Sequence, residues 1–120
     1  MDKEFIIFEA AKKIFVKNGF NSTTINMIAA EANVATAAVH YYFRSKENIY
    51  KNVVEFILLE LINLKITDDA IMFFLNEILF DNSRFYQVLK NSNICENCPQ
   101  KVIEILNDNF EQLLKKRISF

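Results

Sequence analysis

The chain has 120 residues with one glycine, one proline and 52% hydrophobic residues. That is ample for a core and too poor in turn residues for a sandwich or barrel, so the expected class is all-α. The formal net charge of −1 gives no global attraction to nucleic acid, and with a single histidine and no nucleophile-base or metal-ligand cluster there is no catalytic residue, metal site or cofactor to name.

The N-terminus carries Asp2 and Glu4 where a signal peptide would be basic. Residues 3 to 18 are predicted as the first helix, with Ile7, Ala10, Ala11, Ile14 and Phe15 on one stripe. Gly19 ends it as a left-handed residue. Thr23 or Thr24 caps a second helix whose Ile25, Ile28, Ala29 and Ala32 share a face, and Asn33 stops it in the left-handed conformation. Val34 can plug the angle before a third helix. At about 100° per residue, Thr36, Ala37, His40, Tyr41 and Arg44 fall on one arc, while Ala35, Ala38, Val39, Tyr42 and Phe43 take the other side. A helix of two turns cannot stand alone in water, so the apolar side must dock and the small, polar and basic side must face outward. Between Ala32 and Lys46 the only charges are Arg44 and Lys46, which leaves no acid on that face to repel phosphate.

Ser45 caps a fourth helix that runs from Lys46 to about Leu64, with a second half apolar nearly all round and therefore expected to be buried on several sides. Its apolar run from Phe56 to Leu64 is interrupted by Glu60 and Asn63 and falls far below the ~20 residues of a membrane span. A cytoplasmic protein without membrane contact is expected. Thr67-Asp68-Asp69 opens a helix from Ala70 to Phe80, Arg84 to about Asn91 forms another, and Pro99 begins the last at its first position. There Val102, Ile103, Leu106, Phe110, Leu113 and Leu114 oppose Glu104, Asp108, Glu111 and Lys115. Phe56, Phe73, Phe74, Phe80, Phe85 and Tyr86 line an effector pocket or simply fill a core. Cys95 and Cys98 form a C-x-x-C without a second pair, read as inert thiols ahead of a redox pair or half a shared metal site.

The run IFEAAKKIFVKNGFNSTTINMIAAEANVATAAVHYYFRSKENIY strongly resembles the N-terminal domain of TetR-family transcriptional regulators. The likeness includes the paired alanines of the first helix, Gly19-Phe20, the Thr-Thr pair, Ile28-Ala29, Val34, Tyr41-Tyr42-Phe43 and Ser45-Lys46-Glu47. It implies a three-helix DNA-binding domain with a helix-turn-helix over residues 1–47, and a short helical effector and dimerisation domain over 48–120. Residue by residue, the resemblance puts Thr24 on a phosphate, Thr36 and Ala37 at base edges, and His40 and Tyr41 on phosphates. Lys46 would reach a phosphate from the start of the fourth helix, where the helix dipole already favours an anion.

Three positions depart from the family pattern. Ala35 replaces a capping serine, for which Thr36 can substitute; Ala37 replaces a glycine and offers a methyl to thymine; His40 replaces a tyrosine, can still donate one hydrogen bond when neutral, and gains charge when protonated. The resemblance implies a repressor that binds a palindromic double-stranded DNA operator as a homodimer and is released by a small apolar effector. Family members carry further helices beyond this point, so region 48–120 reads as shortened or as part of a longer chain. The alternative is a helical dimerisation or interaction module that does not bind DNA.

Overall fold

The computed structural model describes residues 2–63, 65–79 and 83–109. These form seven helices, α1 Lys3–Asn18, α2 Ile25–Ala32, α3 Thr36–Phe43, α4 Lys46–Ile62, α5 Asp68–Leu79, α6 Ser83–Asn91 and α7 Cys98–Asp108, with no strand among the described residues. The chain divides into two compact units, residues 1–54 and 55–120. Their boundary lies within α4, two turns beyond the 47/48 division expected from the sequence.

In the first unit the ends of α1 and α2 follow from their capping residues. Asp2 Oδ1 accepts from the Glu4 N–H at 3.0 Å and opens α1. Thr24, not Thr23, caps α2: its Oγ1 accepts from the Met27 N–H at 3.1 Å. Thr23 is fully buried, and its hydroxyl instead donates to the Gly19 carbonyl at 2.7 Å. Gly19 has φ 76°, ψ −180°, an extended positive-φ conformation open essentially to glycine alone rather than the left-handed helical one expected. Asn33 does adopt the left-handed helical conformation, with φ 57°, ψ 47°. Its N–H donates to the Ala30 carbonyl and the Val34 N–H to that of Ala29, at 3.2 and 3.0 Å, which completes a Schellman motif.

The core of this unit gathers Ile7, Ala10, Ala11 and Phe15 of α1, Ile28, Ala29 and Ala32 of α2, Val39 and Phe43 of α3, and Ile49, Tyr50, Val53 and Val54 of α4. The alanines let α1 and α2 approach closely, and Lys13 pairs with Glu31 across them. Three rings lock the end of α1 to α4: Phe15 meets Tyr50 edge-on at 5.2 Å, Phe20 meets Tyr50 edge-on at 4.9 Å, and Phe15 and Phe20 stack at 6.3 Å between centroids. Each such pair contributes about 0.5–1.5 kcal/mol beyond the area it buries.

In the second unit, Thr67 caps α5 by accepting from the Ala70 N–H at 3.1 Å. Phe73, Phe74 and Phe85 pack ring against ring at 5.1 to 6.2 Å. α7 packs on α5 and α6 and buries Cys98, Val102, Ile105 and Leu106. It starts at Cys98, one residue before the expected Pro99. Ile103 is exposed and Ile105 takes its place in the core, since residues 102, 105 and 106 share a face at helical spacing. Phe56 and Leu59 are also exposed, so the second half of α4 is not buried all round: they stand three residues apart on the face opposite Ile57, Leu58 and Leu61. Phe80, Phe110, Glu111, Leu113, Leu114 and Lys115 lie outside the described residues. No described helix is long and apolar enough to cross a membrane.

Candidate nucleic-acid interface

α2, the Schellman turn and α3 form a helix-turn-helix. Val39 and Phe43 of α3 are buried, and the opposite arc carries Ala37, His40, Tyr41 and Arg44 exposed with Thr36 half-buried beside them. Tyr41 is 77% exposed, yet its ring is steadied edge-on against Tyr42 at 5.0 Å. Ala35 is exposed rather than packed, because it is the N-cap with extended φ −70°, ψ 149° and helical spacing does not reach it.

No side chain caps α3. Thr36 does not substitute for the missing serine: it is the first helical residue and not the cap, and its hydroxyl donates to Asn26 Oδ1 on α2 at 3.2 Å. Thr24 Oγ1 accepts from Met27 and keeps its own hydrogen to donate. The Lys46 ammonium is half-buried and donates to the carbonyls of Phe20 and Thr23 at 2.9 and 3.0 Å, with its nitrogen 4.0 Å above the Phe20 ring. Two of its three hydrogens are therefore held by the α1–α2 turn, a brace that the expected phosphate role did not include.

The exit from α3 is the least ordinary backbone in the unit. Arg44 has φ 72°, ψ −39°, and the Ser45 N–H donates to the Phe43 carbonyl at 2.9 Å, a γ-turn of the rare positive-φ type that costs roughly 1–3 kcal/mol. Asn48 Nδ2 donates to the same carbonyl at 2.8 Å, while the Asn48 N–H donates to Ser45 Oγ at 3.1 Å, so the cap of α4 and the turn share one network. The Arg44 N–H closes α3 on the His40 carbonyl at 2.9 Å. His40 Nδ1 lies 3.4 Å from the Arg44 carbonyl. When Nδ1 carries the hydrogen it faces an acceptor there, and Nε2 is the outward ring nitrogen. Asn26 and Asn48 were missed by sequence reasoning, because an asparagine joining two elements has no periodic signature.

The six aromatics expected to line an effector pocket differ in burial. Phe73, Phe74 and Phe85 are buried against each other, whereas Phe56 and Tyr86 are exposed and Phe80 is outside the described residues. A groove of about 360 Å³ exists in the first unit, lined by Asp2, Glu4, Phe5, Phe8, Phe43 and Asn52, none of them among those six. The Cys95 and Cys98 sulfurs lie 2.7 Å apart as free thiols. Among the described residues, no group of three or more His, Cys, Asp or Glu could hold a metal ion. Burial, with the Cys98 thiol beside it, pushes Cys95 up from its ordinary value of 9.0 to about 11.

Residues 7–53 match the family model for bacterial regulatory proteins of the tetR family. The likeness to that family lies in this helix-turn-helix domain. It is 36% identical over 55 residues to the HTH-type transcriptional regulator YuxN of Bacillus subtilis, covering 46% of this chain and 19% of YuxN. It is 27% identical over 124 residues to IcaR of Staphylococcus aureus, the HTH-type negative transcriptional regulator of the biofilm operon icaADBC, covering 95% of this chain and 67% of IcaR. A crystal structure of a linker-substituted HlyIIR superposes with a TM-score of 0.63 at 25% identity, covering 92% of this chain and 71% of that one. The chain thus spans about a fifth of YuxN and two thirds of IcaR, and its all-α fold is similar to that of HlyIIR.

Two outcomes are expected. Arg44→Gly relieves the positive φ at the cost of glycine's greater freedom when unfolded, and raises stability by about 1 kcal/mol in urea melts; a lower midpoint would show that the turn is unstrained. Alkylation of Cys95 by iodoacetamide is slow at pH 8 and accelerates as pH rises toward about 11. By linkage, the raised folded value adds stability that is fully present below pH 9.0 and is lost as pH climbs through about 11. Rapid labelling at pH 8 would contradict the burial.

Proposed function

We propose that the chain acts as a sequence-specific DNA-binding repressor, working as a two-fold dimer on a palindromic operator and leaving it when a small apolar effector binds within region 48–120. The observation that carries this reading is the outward face of α3, kept small, polar and basic while every large apolar side chain on the helix except Tyr41 turns inward or is half-covered. A packing role gives no reason for such a face. The name of IcaR, a negative regulator, supports repression over activation.

In this reading Thr36 and Ala37 approach base edges, and Thr24, His40, Tyr41 and Arg44 hold phosphates. Lys46 adds positive charge at the N-terminus of α4 and has one hydrogen left beyond its two carbonyls. Few of these contacts specify sequence, so affinity comes from pairing two such heads about one turn of DNA apart. Phe73, Phe74 and Phe85 lie ring against ring and in this reading form one apolar wall of the effector site. α4 starts beside the phosphate contacts and continues into the second unit, which makes it the natural carrier of that change.

Binding to the chain's own upstream DNA, followed by anisotropy with the solution mass measured alongside, tests the reading. Arg44→Ala lowers the slope of log affinity against log salt by about one per protomer. Wild-type protein with no salt-sensitive binding would leave only the interaction-module reading. His40→Phe weakens binding to all sequences alike; unchanged affinity would remove His40 from the phosphate contacts.

A further inference from the structure

We infer that Asn26, a residue of α2 outside the reading helix, sets which bases Thr36 reads, restricting it to bases that present a hydrogen-bond donor in the major groove. The inference rests on the DNA-binding reading above and goes beyond it.

The geometry is a single hydrogen bond. Thr36 Oγ1 donates to Asn26 Oδ1 at 3.2 Å between exposed parts of α2 and α3. A threonine hydroxyl has one hydrogen and two lone pairs. Left free, it turns to donate or to accept and so discriminates poorly. With its hydrogen on Asn26, the oxygen offers only lone pairs to the groove. Adenine N6 and cytosine N4 present donors there, whereas guanine presents O6 and N7 and thymine O4, all acceptors. Thr36 bound to Asn26 therefore favours adenine or cytosine at its position and opposes lone pairs to guanine and thymine.

A purely structural purpose for this bond is weak. Water competes with it in the free protein, and the helix-turn-helix is already fixed by the Schellman turn and by the burial of Ile28, Ala29, Val39 and Phe43. The bond gains strength when docking into the groove excludes that water, at the moment base choice is made. Asn26 is thus a positioning residue, acting on DNA through Thr36.

The test is selection from a DNA library randomised within the half-site, using the full 120-residue chain and its Asn26→Ala, Asn26→Asp and Thr36→Val variants. Wild type is expected to show an adenine or cytosine preference of roughly three- to tenfold at one base pair per half-site, the range of one hydrogen bond. Thr36→Val abolishes it. Asn26→Ala frees the hydroxyl and lets guanine and thymine in at that position, leaving preferences elsewhere and the salt slope unchanged. Asn26→Asp keeps an acceptor for the hydroxyl, so it retains the preference while its negative charge weakens binding to all sequences. An Asn26→Ala profile identical to wild type, or a wild-type preference for guanine or thymine at the position lost in Thr36→Val, would overturn the inference and leave DNA binding intact. Absence of salt-sensitive binding by the wild type would overturn both together.

Discussion

The first unit is organised around one cation. Lys46 lies on the face of Phe20 and donates to the carbonyls of Phe20 and Thr23, in the turn where α1 has ended and α2 has not begun. Half-burying an ammonium is costly unless its hydrogens and its charge are met, and here two carbonyls and a ring meet them. The same ring packs on Phe15 and Tyr50, so the charge, the turn and the aromatic core hold one another in place. The direction in which α2 leaves that turn, and so where α3 stands, depends on this arrangement.

Much of the first unit was legible because its signals are local. Thr24, Asn33 and Ser45 are residues whose own chemistry stops or starts a helix, and each does so here. The outward arc of α3 followed from helical spacing and the need of a two-turn helix to dock. What escaped were bonds between elements: Lys46 reaches back 26 residues to Phe20, Thr36 reaches 10 to Asn26, and no window of periodicity spans such distances. Gly19 was recognised as special, but its type of positive-φ conformation was not, since glycine tolerates several. In the second unit, neighbouring isoleucines left Ile103 and Ile105 hard to tell apart, and a count of aromatics could not distinguish a filled core from a void.

Arg44 shows how the two demands on this region conflict. The chain must leave α3 and enter α4 within two residues, which forces a positive φ where glycine would sit most easily, yet the position carries an exposed arginine on the outward arc of α3. Asn48 and Ser45 tie down the turn from the far side, so the cost is met by the cap of the next helix. Backbone conformation, cap and charge at this corner are therefore one feature and not three.

The bond from Thr36 to Asn26 carries a further consequence for how such a reading head can change. If the hydroxyl of one helix is oriented by a side chain on another, α3 is not a cartridge that can be lifted out and seated in a related scaffold with its preference intact. A lineage, or an engineer, that exchanges residues 36 to 43 alone moves the letters and leaves behind the residue that decides how one of them is pronounced.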